Sequence, residues 1–307
     1  MKRRDFLKKS IGAGIFTGSL LTIGGYGRIF ANTTNNPTLP YDLIAVKDGE
    51  PDKMFDKAID AMGGMKKFVK PGQKVVVKPN IGWDVIPEKA ANTNPKLIAR
   101  IIKHCFDAGA SKVYVFDHTC DEWRKCYNNS GIEKAAKEAG ATVAPGNTEG
   151  YYQSVEVPKG KVLTQAKEHE LVLESDVFIN VPILKDHGSA RLTIAMKNLM
   201  GIVWDRKFWH RNDLHQCIAD FASYRKPDLN IVDAYRVMRR NGPRGVSTAD
   251  VSTMKYLIMS DDIVATDVAS AKIFGSDPES IRHIDIAGEA GYGQMDLSKL
   301  KIGRLKI

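Results

Sequence analysis

The stretch that decides the fold begins at Lys74-Val-Val-Val-Lys-Pro-Asn80. It continues through Asn94-Pro-Lys-Leu-Ile-Ala-Arg-Ile-Ile-Lys-His-Cys-Phe-Asp-Ala-Gly109 and ends at Lys112-Val-Tyr-Val-Phe-Asp-His118. The β-branched runs Val75–Val77 and Val113–Val115 suit short strands buried on both faces, as in a parallel sheet. Between them Leu97, Ile98, Ile101, Ile102, Cys105 and Phe106 recur at helical spacing. Asn94 and Pro95 supply an N-cap and first turn, and Gly109 a C-cap. Strand, helix and strand at this separation form a right-handed crossover unit.

The pattern repeats outward. Pro51 to Val69 reads as helix before the first strand, and Ile132 to Gly140 as helix after the second. Val177–Val181, Leu229–Asp233 and Tyr256–Met259 supply further strands, and Ile263–Phe274 and Glu279–Gly288 late helices. Tyr151 to Leu173 fits an antiparallel excursion. The expected fold class is α/β: a mostly parallel sheet with helices on both faces, in a single domain over residues 41–307.

The first residues read as an address. Arg3-Arg4-Asp5-Phe6-Leu7-Lys8 precedes a weakly apolar stretch that six glycines dilute between Ser10 and Gly27. This resembles a twin-arginine export signal over residues 1–31, followed by a flexible tether over 32–40. It implies the twin-arginine translocation machinery as a partner, a periplasmic or otherwise exported location, and no stable transmembrane span after cleavage. Gly12-Ala-Gly14 is no dinucleotide loop, because no strand precedes it. Residues 1–31 hold six of the 45 Lys and Arg and one of the 36 Asp and Glu, so the formal +9 falls to +4 without them. No basic cluster remains of the kind that nucleic acid demands, and nucleic-acid binding is excluded.

In an open α/β sheet ligands bind outside the carboxyl ends of the strands. Lys78 and Asn80, Asp117 and His118, Lys185 and His187, and Asp233 all follow or end such strands, which points to one cleft for a small-molecule ligand. Residues 185–201 carry the most chemistry. Lys197, among apolar neighbours, could bind an anion, act as a nucleophile or hold a covalent cofactor. His187 could ligate a metal or move a proton. His210 and His215, five apart, stand about 140° from each other on a continuous helix and cannot form a paired zinc face. His104, His169 and His283 read as helix-surface residues without a role. The four cysteines show no C-x-x-C pair and no zinc or iron–sulfur spacing. Cys120 and Cys126 are close enough for a short-loop disulfide, whereas Cys105 and Cys217 read as buried thiols. No Walker loop, nucleophile elbow or Rossmann fingerprint occurs.

The mature chain resembles the bacterial and archaeal family called domain of unknown function 362. The resemblance rests on Val75-Val-Val-Lys78-Pro-Asn80, Asn92-Thr-Asn-Pro95, Asn180-Val-Pro-Ile-Leu-Lys185, Lys197-Asn198-Leu-Met-Gly201, Asp233 with Asn241-Gly-Pro243, and Asp262-Ile-Val-Ala-Thr-Asp267. It implies no particular activity. A fainter resemblance, over Lys185-Asp186-His187 and Lys197, is to the nickel-pincer lactate racemases. It implies a metal-ligating His187 and a cofactor-tethering Lys197. These readings together give an exported enzyme that acts on a small polar or anionic substrate with a metal ion or nickel-pincer-like cofactor. His187, Lys197, His118 and Lys185 are its candidate catalytic residues. Lys78, Asn80, Asn198, Asp233 and Asp267 are its candidate cofactor-binding residues, and His187 and His118 its candidate metal ligands. The alternative is a non-catalytic accessory protein that holds a ligand, metal or cofactor in the same cleft.

Overall fold

Val76 packs into one hydrophobic core while its neighbours Val75 and Val77 pack into another, so the strand they form separates two layers. The computed structural model describes residues 40–307. The export signal, and the tether up to residue 39, lie outside the described residues. In chain order the strands are β1 (Leu43–Lys47), β2 (Lys74–Pro79), β3 (Lys112–Val115), β4 (Thr142–Val143), β5 (Tyr152–Glu156) and β6 (Gln165–His169). They continue as β7 (Val177–Val181), β8 (Ile183–His187), β9 (Arg191–Thr193), β10 (Leu229–Met238), β11 (Val251–Ser260) and β12 (Ile302–Lys306). The helices are α1 (Pro51–Ala61), α2 (Pro95–Asp107), α3 (Trp123–Asn129), α4 (Ile132–Glu138) and α5 (Glu170–Glu174). Then come α6 (Ala195–Asn198), α7 (Arg206–Arg211), α8 (Leu214–Tyr224), α9 (Ile263–Phe274) and α10 (Arg282–Glu289).

The main sheet runs β12-β1-β11-β10-β7-β2-β3-β4, with β8 and β9 attached beside β10. From β10 to β4 every neighbouring pair is parallel. β11 is antiparallel to both β10 and β1, and β12 is parallel to β1. The fold is therefore α/β with a mixed, mostly parallel sheet and helices on both faces. One face carries α1, α2 and α4 through Phe55, Ile59, Leu97, Ile101 and Ile132. The other carries α6, α8, α9 and α10 through Met196, Phe221, Val264, Val268 and Ile284.

Local chemistry explains the boundaries. The Asn94 side chain accepts the Lys96 N–H at 3.0 Å and opens α2, and Gly109 leaves it at φ 101°. The helical pattern from Pro51 extends to Val69, but α1 stops at Ala61. Gly63 and Gly64 at φ 92° and 86° turn the chain before a short 3-10 turn at Met65–Lys67. The antiparallel excursion is the β5–β6 hairpin.

Candidate active site

β2 turns Lys78 to the face opposite Val75 and Val77, where its side chain is 1% exposed. A buried ammonium needs partners. Lys78 Nζ lies 3.0 Å from Asp117 Oδ1 and donates to Asn198 Oδ1 at 2.8 Å. Asp117 follows β3, and its other oxygen accepts the Ile81 N–H at 2.6 Å. Burial pulls the Lys78 pKa below its ordinary value, and Asp117 offsets part of that.

Past β7 the sequence pattern ends at Pro182, yet the chain continues directly as β8 and pairs with β10 and β9. Lys185 and His187 thus sit on a strand, two residues apart and on one side of it. Asp186 takes the other side and accepts the Gly242 N–H at 2.8 Å. Lys185 Nζ donates to the Ala91 carbonyl at 2.5 Å and to Asn80 Oδ1 at 3.2 Å.

Lys197 sits on the short α6. The Asp267 carboxylate holds the start of that helix by accepting the Ala195 and Met196 N–H groups at 2.7 and 3.2 Å. Among the described residues the Lys197 ammonium has no hydrogen-bond or ion-pair partner. Burial lowers the Lys185 pKa to about 7 and the Lys197 pKa to about 8.

Lys78, Asp117, His118, Lys185, His187 and Lys197 line one cavity of about 60 Å³, as do Asn80, Asn198 and Arg206. Asp233 and Asp267 do not line it. The Asp233 carboxylate is spent on the Asn94 and Tyr235 N–H groups, at 2.8 and 3.1 Å. Both aspartates support the backbone that carries the site, and burial raises their pKa values to about 6 and about 8.

The partners of the two cavity histidines assign their tautomers. His118 Nδ1 stands 2.9 Å from the Val203 carbonyl, which can only accept. Nδ1 therefore carries the proton, and Nε2 keeps a free lone pair. His187 Nδ1 accepts the Ala190 N–H at 3.3 Å, so the proton lies on Nε2. Burial, followed by nearby cations, lowers His118 to about 4 and His187 to about 2, and both rings are neutral at pH 7. The site therefore offers one imidazole acceptor and one imidazole donor.

The cavity also takes in residues that the sequence alone does not mark as site residues. Arg206 of α7 donates to the His118 and Thr119 carbonyls, both at 2.7 Å, and fixes the loop after β3. Thr193 lines the cavity with a buried hydroxyl that has no hydrogen-bond partner among the described residues. Gly201 meets the cavity so closely that an added Cβ would fall 1.8 Å from Asp117 Oδ1 and 2.4 Å from Lys78 Nζ. Cys120 lines the cavity as an exposed free thiol, and Cys126 is buried with its Sγ 3.8 Å from the Gly82 carbonyl. The short-loop disulfide is not formed in this structure: both cysteines are free thiols beside Gly82.

Among the described residues no group of three or more His, Cys, Asp and Glu is arranged to hold a metal ion. The cavity residues themselves do not fit the metal or nickel-pincer group that the resemblance implies. Three lysines and Arg206 face a single carboxylate, which opposes a cation. Of the two candidate histidine ligands, His187 presents an N–H where a ligand needs a lone pair, which leaves His118 Nε2 alone as an imidazole donor. The volume is also far below the roughly 300 Å³ at which organic cofactor sites begin.

A family model described as domain of unknown function (DUF362) matches residues 75–272. A thylakoid-associated protein from Synechocystis sp. is 26% identical over 231 residues, covering 73% of this chain and 70% of that protein. The lactate racemase apoprotein from Thermoanaerobacterium thermosaccharolyticum superposes with a TM-score of 0.46 at 11% identity, over 69% of this chain. The chain spans about half, 53%, of that structure's length. A structural-genomics protein from Thermotoga maritima gives a TM-score of 0.45 at 9% identity, over 79% of this chain and 60% of that one.

Proposed function

The chain belongs to the domain of unknown function 362 family, and we propose that it is an enzyme that binds a small carboxylate and removes a proton from it. The observation that carries this reading is the concentration of Lys78, Lys185, Lys197 and Arg206 around one small cavity with Asp117 as the opposing charge. Lys78 is already neutralised by Asp117, and Arg206 is engaged with carbonyls. Lys185 gives two of its three N–H bonds to the Ala91 carbonyl and Asn80 and keeps one for the substrate carboxylate, and Lys197, which is unpartnered among the described residues, supplies the rest.

His118 Nε2 then takes a proton from the carbon beside the carboxylate. The C–H electron pair moves into the substrate as an oxyanion, stabilised by Lys197 and by the His187 Nε2–H bond. A neutral imidazole suits that second role, because it donates a hydrogen bond without carrying a competing proton equilibrium. Burial is the main cause of the low His118 basicity, and the substrate's charge offsets the smaller share that comes from nearby cations such as Arg206.

The pH dependence has a defined sign. Lys197 and Lys185, at about 8 and about 7, are charged below those values and neutral above them. Acetate affinity is expected to be highest below about pH 7 and to fall as pH rises through about 8, while an anion bound in the site holds both lysines protonated longer. Calorimetric titration with acetate at several pH values checks this, and pH-independent affinity from pH 6 to 9 would contradict it. Exchange of a bound substrate's C–H for solvent deuterium separates catalysis from binding. Binding without exchange for any small carboxylate would leave the accessory-protein reading standing.

We also place this activity outside the cytoplasm, on the strength of the Arg3-Arg4 signal. An Arg3→Lys, Arg4→Lys double variant is expected to remain in the cytoplasm; its normal export would overturn that placement.

A further inference from the structure

We propose that Cys120 is a covalent capture site on the cavity wall, where its thiol takes up small carboxylates that carry a leaving group on the carbon beside the carboxylate. The proposal rests on the reading of that cavity as a carboxylate site with Lys197 as one of its cations.

Cys120 is exposed and lines the cavity, whereas Cys105, Cys126 and Cys217 are buried. Burial pushes those three thiols up, which makes them poor nucleophiles. The loop after β3 holds Cys120 firmly. Its N–H donates to the Gly82 carbonyl at 2.8 Å, and the Thr119 hydroxyl before it donates to the Asp121 carbonyl after it, also at 2.8 Å. Arg206 pins the same loop from α7. Its Nη2 donates to the Thr119 carbonyl and its Nη1 to the His118 carbonyl, both at 2.7 Å, and Nη1 also lies 3.6 Å from Cys120 Sγ. A guanidinium therefore stands against a sulfur that solvent reaches, and reactive cysteines occur in such electropositive, accessible surroundings.

Two other polar groups of the same cavity lack the partner that a bound carboxylate would supply. Thr193 is 3% exposed, and its hydroxyl has no hydrogen-bond partner among the described residues. Leaving a buried hydroxyl unpaired is costly, and an anion in the cavity removes that cost. The Lys197 ammonium, likewise unpartnered among the described residues, supplies the charge. A carboxylate has lone pairs enough to accept from both. Cys120 is the one thiol on the wall of the cavity that holds it. The sulfur forms a bond to the carbon beside the carboxylate as that carbon's bond to its leaving group breaks. The leaving group departs with the bonding pair, and the thiol proton goes to solvent. Nothing is oxidised or reduced. The product is a thioether whose carboxylate stays with the lysines and bars the cavity to further substrate.

The test uses the full chain at about pH 7, where Lys197 is charged, with iodoacetate and its neutral counterpart iodoacetamide as probes. The two reagents share a leaving group and differ in charge, and mass spectrometry reads the modification of Cys120. Relative to the same pair of reagents on free N-acetylcysteine, Cys120 should favour iodoacetate by at least about tenfold, the worth of one hydrogen bond to a charged group. Saturating acetate should slow the iodoacetate reaction, and Lys197→Ala should bring the preference down to that of the free thiol. A Cys120 that shows only the free thiol's preference, or a preference that neither acetate nor Lys197→Ala reduces, would overturn the capture site. Calorimetry with acetate and deuterium exchange keep the two readings apart. Acetate binding without an iodoacetate preference leaves the carboxylate site standing and removes the capture. An iodoacetate preference in a chain that exchanges no C–H of any small carboxylate keeps the capture, and the proton-abstraction reading falls.

Discussion

Gly201→Ala should abolish acetate binding, reducing affinity by more than about a hundredfold, and should lower the melting temperature. An added Cβ would lie 1.8 Å from Asp117 Oδ1 and 2.4 Å from Lys78 Nζ, inside the buried ion pair. The backbone has no free direction of retreat, because the Gly201 carbonyl accepts the His118 N–H at 2.9 Å. Any shift that relieves the clash therefore moves the proposed base as well. Overpacking of this kind costs about 1–3 kcal/mol, and separation of a buried ion pair adds to it. Calorimetry with acetate and a thermal melt read the two effects. Wild-type affinity in Gly201→Ala would show that the Lys78–Asp117 pair is no part of the site.

Asp267→Ala should cost about 2–4 kcal/mol of stability, since it leaves two buried N–H groups unsatisfied at the start of α6. Lys197→Ala should change stability little, because it removes an unpartnered ammonium from a cavity wall. The two variants therefore separate support from site: the first lowers the melting temperature, and the second removes acetate binding at nearly unchanged melting temperature. The wild-type pH profile carries the same information. Burial raises Asp267 from 3.8 to about 8, so the folded chain binds this proton more tightly than the unfolded chain. Stability from this carboxyl thus declines as pH rises between about 4 and about 8, and Asp267→Ala should lose that slope. Denaturant titrations across this window measure it; a slope unchanged in the variant would contradict the assignment.

The parts of the fold that were legible in the sequence are those where one local pattern has one solution. Val75–Val77, Val113–Val115 and Val177–Val181 are apolar on both faces because helices cover both. The Asn94-Pro95 and Asp262 caps fix where α2 and α9 begin. β1 and β12 lie outside the repeating strand–helix pattern, and the antiparallel pairing of β11 depends on which strands meet at long range. β8 was hidden by Pro182, which reads as the end of a strand when it stands between two.

At the site, the gathering of Lys78, His118, Lys185 and His187 follows from their place at or just after strand ends, and Lys197 joins them from the short helix after β9. The same rule points equally to Asp233, and the family resemblance points to Asp267, yet both carboxylates turn to backbone N–H groups. Capping and ligand binding use the same residue types, and sequence spacing does not distinguish them. Arg206 reaches the site only through tertiary packing, and Thr193 and Gly201, although inside residues 185–201, carry no chemistry of their own that marks them as cavity residues.

The most direct measurement of the central claim is the titration of the lysines themselves, followed by NMR of ¹³C-labelled lysine side chains in the full chain. Without an anion, two lysines should titrate near 7 and 8, well below the surface lysines, and should be assigned to Lys185 and Lys197 by substitution. With saturating acetate both midpoints should rise by about one pH unit or more, because a bound carboxylate favours the charged ammonium. Midpoints that acetate leaves unmoved would contradict an anion held between these two residues.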